Sequence, residues 1–331
     1  RLLRQYGRAQ KHLEKAVELG SEGSFARASL ANVLLLSGNI IEAEQHLQEA
    51  VKLADDPRSK ALLAGFGELL NNAGRTPPPP SAADREIAPP VKSLELLKLP
   101  RAEKPLESIV IPVFNQWHHT YACLRSIIQH TSGVAYEVIV VNDASDDKTA
   151  EILKLVSNLQ VIVNEQNAGF IASCNNGAQA ARGRYLLFLN NDTEVTANWL
   201  QAMLSTWDYF PAAGLVGAKL VFPGGSLQEA GGIVFANATA WHYGRGDDPR
   251  LPRYNFARAV DYCSGACLMI ETSLFQELHG FDSHYSPAYY EDTDLAFRVR
   301  ALGRSVIYQP RAEVIHFEGA TSGTDPDAGP K

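Results

Sequence analysis

The spacing of apolar side chains changes character twice along the chain. Over the first 75 residues it is helical: Ala9, Leu13, Ala16 and Val17 recur as Ala43, Leu47, Ala50 and Val51, on the rhythm of three and four that gathers one stripe on a helix. His12 and Leu19 recur with them as His46 and Leu53, so the period is 34 residues. Gly38, in LLLSGNIIEAEQHL, separates two helical runs, and a degenerate third start follows in KALLAGFGELLNNAG. From Thr76 to Pro90 the periodicity stops. The consecutive prolines there lack N–H donors and favour extended polyproline II, which makes a semi-rigid spacer. SLELLKL after it has the spacing of one short helix. From about Ser108, short β-branched runs alternate with helical ones: SIVIPVF, YEVIVVND, LQVIVNE and RYLLFLNND read as strands. YACLRSIIQH, KTAEILKLVSN, FIASCNNGAQAA and ANWLQAMLSTWDYF read as the helices between them.

That alternation predicts an α/β domain with a mostly parallel sheet covered on both faces. Ligands of such sheets bind beyond the carboxyl ends of the strands, which singles out Asn115, Asp143, Asn167 and the cluster Asn190–Asp192. The 34-residue period, with small Ala where helices cross and Gly38 at the turn, resembles tetratricopeptide repeats. A generic helical hairpin is the competing reading. The expected organisation is repeats over residues 1–75, a Pro-rich linker over 76–104 and the α/β domain over 105–331. His12 and His46 sit at equivalent repeat positions, as packing or surface residues would.

Bulk properties narrow the function classes. A length of 331 residues accommodates two domains, and 45% hydrophobic with 20% charged residues is an ordinary globular composition. The net charge of −7 argues against a nucleic-acid binder working through a broad basic surface. Cys123, Cys174, Cys263 and Cys267 are too few and scattered for a disulfide framework, and the last two have no neighbouring ligands for zinc. No apolar run reaches the ~18 residues of a membrane span. The expected location is cytoplasmic, or peripheral at the inner face of a membrane. The chain begins at Arg1 within a helical pattern, as a piece of a longer protein would.

The strand ends carry the candidate chemistry. Pro112 in IPVFN cannot extend a ladder, so the first strand is expected to break there and turn Phe114 and Asn115 toward the crevice. VVNDASDD brings Asp143, Ser145 and Asp146 together. Asp146 or Asp147 suits the N-cap of the next helix, whereas Asp143 at the strand tip could accept a hydrogen bond from a base N–H. NEQNAGF places Asn167 and Gly169 in a tight turn. In RYLLFLNNDTEV an apolar run ends in Asn190, Asn191 and Asp192, with one carboxylate among three polar side chains.

Together these segments resemble the family 2 glycosyltransferases, which have the GT-A fold. VVNDASDD is similar to that family's V-D-D-G-S-x-D. NAGFIASCNNGAQAARGRYLLFLNNDTEV resembles its N-x-G…N-x-G…A-x-G-x-Y-x-x-x-L-D-x-D. YCSGACLMIETSLFQELHGFD follows its S-G-A…R-x-x-F…G-F-D with Thr272 at the Arg position, and YYEDTDLAFRVRALG and PRAEVIHFEGATS follow its E-D-x-D-L-x-x-R and late histidine. The likeness covers roughly residues 106–323, in order. It implies an inverting enzyme that takes a UDP- or dTDP-linked sugar with Mn2+ or Mg2+ and delivers it to a glycan, lipid-linked or protein acceptor, as in bacterial polysaccharide synthesis. Asp143, Asn190 and Asn191, with Pro112, Phe114, Asn115, Asn167, Ser264 and Gly265, would hold the donor. Asp192 would bind the metal, which His316 joins. Asp292 would be the base, with Glu291 positioning it or the acceptor.

Read from the residues alone, these late motifs keep alternatives. Glu291, Asp292 and Asp294 at a helix start are favoured by its dipole, but three acids exceed what capping requires, and Tyr289 and Tyr290 precede them. The same helix is expected to bury Leu295, Val299 and Leu302. A lone histidine such as His316 is commonly structural, and Ser264–Gly265 suits a tight bend as well as a close approach to the donor. The polar aromatic segment Trp241–Tyr254 fits an acceptor loop or an ordinary surface loop. Asn190 stands where the family has the first Asp of D-x-D, which motivates a second class of function: a non-catalytic nucleotide-sugar or glycan-binding module on a repeat scaffold that recruits protein partners. A sugar-1-phosphate nucleotidyltransferase would need a Gly-rich basic loop after the first strand, where this chain has VFNQWHH.

Overall fold

The computed structural model describes residues 40–53, 94–235 and 239–319, with Arg27 and Leu34. The chain divides into two units, residues 1–79 with 250–257, and residues 80–249 with 258–331. In the first unit, α1 (Ile40–Leu53) is the helix that the apolar spacing predicts, with Ala50 buried. The rest of the repeat reading, and the Pro-rich spacer, lie outside the described residues.

The second unit is built on a ten-stranded mixed sheet. Its strands are β1 (Glu107–Val113), β2 (Tyr136–Asn142), β3 (Gln160–Val163), β4 (Tyr185–Leu189), β5 (Thr193–Val195), β6 (Ala213–Val221), β7 (Leu227–Glu229), β8 (Arg258–Ala259), β9 (Cys267–Glu271) and β10 (Ser305–His316). They run in the order β8-β10-β6-β9-β4-β1-β2-β3, with β5 against β10 and β7 against β6. β3, β2, β1 and β4 are mutually parallel. β9 enters antiparallel between β4 and β6. The helices are α2 (Trp117–His130), α3 (Thr149–Leu153), α4 (Gly169–Ala180), α5 (Trp199–Tyr209), α6 (Thr272–Glu277) and α7 (Glu291–Ala301). β1, β2 and β4 are buried along their whole length, as continuous apolar strands between two helical layers must be. α4 approaches β1 and β2 closely because Gly177 has no side chain: a Cβ there would lie 2.3 Å from Val110 Cγ1.

Several local expectations need correction. Pro112 does not end β1; it pairs in register with Val141 of β2. Val113 O accepts from Asp143 N on the β2 side, so alternation turns Pro112 N toward β4, whose pairing with β1 ends at Val110. No N–H is needed there. Among the described residues of SLELLKL, 94–99, there is no helix: Leu97–Lys98 pair in parallel with Val156–Ser157. That pairing also stops α3 at Leu153, so the longer helix read through KTAEILKLVSN does not form. Leu302 is 49% exposed, outside the buried face of α7. Within Trp241–Tyr254, the Ala240–His242 segment forms a short hairpin with Gly232–Val234.

Candidate active site

Chain order reverses between β1 and β4: β2 and β3 succeed β1 on one side, and β4 lies on the other. A crevice beyond the carboxyl ends is the geometric consequence. Because β9 is antiparallel to β4, its entry loop reaches the same end, and Asn190 N donates to Ala266 O at 3.0 Å. The three polar residues after β4 diverge from there. Asn190 keeps a buried Oδ1 that no protein group satisfies, the mark of a site that expects a ligand. Asn191, expected with the donor, points inward; it is buried, and its amide donates to Thr120 Oγ1 of α2 at 3.0 Å. Asp192 is buried, with Oδ1 3.3 Å from His316 Nε2 at the end of β10.

The far side of His316 sets its tautomer. Gln228 on β7 donates its amide to the Glu318 carboxylate, which leaves Gln228 Oε1 to accept from His316 Nδ1 at 3.1 Å. Nε2 then faces the Asp192 carboxylate. A cation between them satisfies both, in the way outer-shell amides orient metal-ligating histidines. Burial pushes Asp192 up, but the His316 bond and the His316 and His119 charges hold it below the usual carboxylate range. Among the described residues no group of three or more His, Cys, Asp and Glu is arranged to hold an ion. One carboxylate and one imidazole would fit an ion that takes further ligands from water and phosphate oxygens, as Mg2+ and Mn2+ do.

On the other side of the crevice Asp143 is fully employed. Its Oδ1 accepts from Asn164 Nδ2 at 2.7 Å and Ala168 N at 2.8 Å, and its Oδ2 from Gly169 N at 2.8 Å. It caps α4 and holds that helix start at the strand tips. Gly169 is in the left-handed region, φ 85°, and Asn167 is exposed, its Oδ1 accepting from Gly169 N at 3.1 Å. Asn115 also has positive φ and ties two loops together: its Oδ1 accepts from Asp146 N at 2.9 Å, and its N donates to Ser145 Oγ at 2.8 Å. Phe114 beside it is half-buried. Asp147 caps α3 by accepting from Thr149 N at 2.8 Å.

The start of α7 brings two adjacent carboxyls to the same end. Tyr289 and Tyr290, φ 79° and 70°, are both exposed and left-handed, a backbone cost that functional sites tend to retain. Glu291 is buried, and its Oε2 has no partner. Burial, with the neighbouring Asp292 charge, raises its pKa to about 8, so it is protonated at neutral pH. Asp292 is half-buried, and burial raises it too. Unlike Glu291 it has donors: Gly265 N to Oδ2 at 3.0 Å, and Thr293 N to Oδ1 at 2.6 Å. Of the two like charges it is the one placed to ionise. Ser264 is held in turn by Glu229, whose Oε1 accepts from Ser264 N at 2.9 Å. Sequence reasoning missed Asn164, because LQVIVNE read as strand past the true tip at Val163. It also missed Gln228 and Glu229, whose signal was a polar pair between Leu227 and Ala230 just before two glycines.

Comparison with known proteins agrees with this architecture. Residues 108–278 match the model of glycosyl transferase family 2. The chain is 31% identical over 234 residues to an uncharacterized protein, y4gI, of Sinorhizobium fredii, covering 68% of this chain and 26% of that one. It is 26% identical over 321 residues to the O-antigen biosynthesis protein RfbC of Myxococcus xanthus, covering 92% and 24%. An N-acetylglucosaminyl-diphospho-decaprenol L-rhamnosyltransferase of Mycobacterium tuberculosis is 24% identical over 247 residues, covering 66% and 78%. This chain thus spans about a quarter of the length of the first two relatives. The crystal structure of GalNAc-T7 with UDP, GalNAc and Mn2+ shares the fold at TM-score 0.54 and 19% identity, over 64% of this chain and 43% of that one. With the α/β sheet, the strand-tip crevice and the matched segment together, the chain belongs to glycosyl transferase family 2.

Proposed function

We propose that residues 105–331 form the catalytic domain of an inverting, metal-dependent glycosyltransferase that transfers a sugar from a UDP- or dTDP-linked donor to a glycan, lipid-linked or protein acceptor. The observation that carries it is the Asp292 carboxylate, held by the Gly265 N–H beside a protonated Glu291 at the end of the crevice. Asp292 takes the proton of the acceptor hydroxyl. The hydroxyl oxygen bonds to the anomeric carbon as the bond to the diphosphate oxygen breaks on the opposite face, its electron pair leaving with the diphosphate. Asn190 Oδ1 and the Ser264–Gly265 turn face the donor, and Asp143 and Asn115 hold the loops that border it. Asp192 and His316 would hold the ion, which when bound neutralises charge on the leaving diphosphate. GalNAc-T7, which shares the fold, was solved with a nucleotide and Mn2+, and RfbC, a relative, is named for O-antigen biosynthesis. Both support the reading, and bacterial polysaccharide synthesis at the cytoplasmic face is its setting. Residues 1–75, read as repeats, would recruit the acceptor or a partner protein, with residues 76–104 as the spacer.

Asp292→Asn tests the assignment of the base. It should bind the donor as the wild type does and lose transfer by about 10²-fold or more, measured by nucleotide release and product formation. Near-normal turnover would remove Asp292 from the role. A second reading, a module that binds without turnover, is favoured by Asn190 replacing a carboxylate. It predicts donor binding with no transfer to any acceptor in wild type.

A further inference from the structure

One pair behind the base, a buried carboxylate and a half-exposed imidazole, belongs to none of the roles above. Glu229, 1% exposed at the end of β7, accepts from Ser264 N through Oε1 and from His242 Nδ1 through Oε2. The next residue, Gly265, donates its N–H to Asp292. His242 lies in the Gly232–Val234/Ala240–His242 hairpin, its side chain 38% exposed, next to Trp241, which is 67% exposed. The hairpin is fastened to the base loop at a second point. Gly232 pairs with Tyr262, and a Cβ on Gly232 would lie 2.0 Å from the Tyr262 ring, so only glycine admits this approach. A third tie reaches the other end of α7: Val234 N donates to Asp261 Oδ2 at 3.0 Å, and Asp261 Oδ1 pairs with Arg300 at 3.0 Å.

We propose that Glu229 and His242 are a positioning pair for the base: Glu229 fixes the Ser264–Gly265 loop that holds Asp292, and His242 sets, from the exposed hairpin, how much of the Glu229 charge Asp292 feels. The inference rests on Asp292 being the base. Electrostatics agree with the geometry. Burial raises Asp292, the Gly265 N–H opposes it, and the Glu229 charge raises it again. The Glu229 bond raises His242, so the imidazolium is favoured beside that carboxylate. The other titratable groups facing Asp292 are Glu291 on its own helix, and Tyr262 and Cys263 from the β9 entry loop. Those acting on the pair from outside it are Arg245 and Glu318 beside His242, and Tyr262, Cys263, Arg258 and Tyr308 around Glu229.

The two members act on Asp292 with opposite signs, and this is what the test reads. Glu229→Gln keeps the acceptor for Ser264 N and removes a negative charge; His242→Asn keeps a donor where Nδ1 stood and removes a positive one. On the full chain, pH profiles of kcat/KM for acceptor at saturating donor should have their acid limb moved to lower pH in Glu229→Gln and to higher pH in His242→Asn. Each displacement should exceed ~0.3 pH unit, about twofold in rate on the limb. Donor affinity by calorimetry should match wild type in both. Limbs that coincide with wild type, or that move in the same direction, overturn the pair, as does a rate loss uniform across pH. His242→Asn, at the more exposed position, suffices alone if Glu229→Gln does not fold. An inactive Asp292→Asn with unmoved limbs sinks the pair and leaves the base assignment standing; an active Asp292→Asn removes the base assignment itself.

Discussion

Replacing Glu291 by Gln should change how stability depends on pH, and by an amount the structure sets. The Glu291 carboxyl is 7% exposed with an unpartnered oxygen, and it titrates at about 8 in the fold against an ordinary value of 4.5. Between those values the folded chain keeps a proton that the unfolded chain has lost. Stability therefore falls as pH rises through that window. The difference is near zero at pH 4 and grows to on the order of 3 kcal/mol at pH 7. Glutamine has the shape of the protonated acid and cannot ionise, so Glu291→Gln escapes the loss. Urea unfolding of both proteins at intervals from pH 4 to 8 should give curves that start together and separate, the variant becoming the more stable. Titrating groups other than the neighbouring Asp292 are common to both proteins and cancel. A separation that stays constant across the window would mean that Glu291 is ionised in the fold, and the division of labour between Glu291 and Asp292 would be wrong.

Two further substitutions probe the scaffold and the donor side. Gly177→Ala adds a Cβ 2.3 Å from Val110 Cγ1 and 3.0 Å from Val141 Cγ2. It should lower unfolding stability by about 1–3 kcal/mol, since α4 must lift from the sheet; an unchanged denaturation midpoint would contradict the packing described. Asn190→Ala removes the orphaned oxygen and should weaken nucleotide-sugar binding by about 1 kcal/mol, roughly fivefold in Kd, without altering the fold. Unchanged donor affinity would place the ligand elsewhere.

β1, β2 and β4 were legible because they are buried on both faces and so read as unbroken apolar runs: YEVIVVN and YLLFL sit where the pattern puts them. What pattern could not show was partnership. Two-residue strands such as Leu97–Lys98 exist only through pairing with Val156–Ser157, and no periodicity survives at that length. The site was legible as a set of strand-tip residues, less so as geometry. Asn190, Asn191 and Asp192 are adjacent in sequence, yet one keeps a buried, unpartnered oxygen, one faces α2 and one faces His316. Glu229 and Gln228 showed only as a polar pair between Leu227 and Ala230, because their partners lie 13 and 88 positions away.

In the proposed nucleotide-sugar site, an ion on Asp192 and His316 would set the affinity. Isothermal titration calorimetry with UDP and dTDP, each with and without Mn2+, measures it directly, without turnover and without knowledge of the acceptor. Wild type should bind at least one of the two nucleotides with an affinity that depends on Mn2+, and Asp192→Ala should lose that dependence while remaining folded. Binding of equal strength with and without the ion, or full ion dependence retained in Asp192→Ala, would contradict the account.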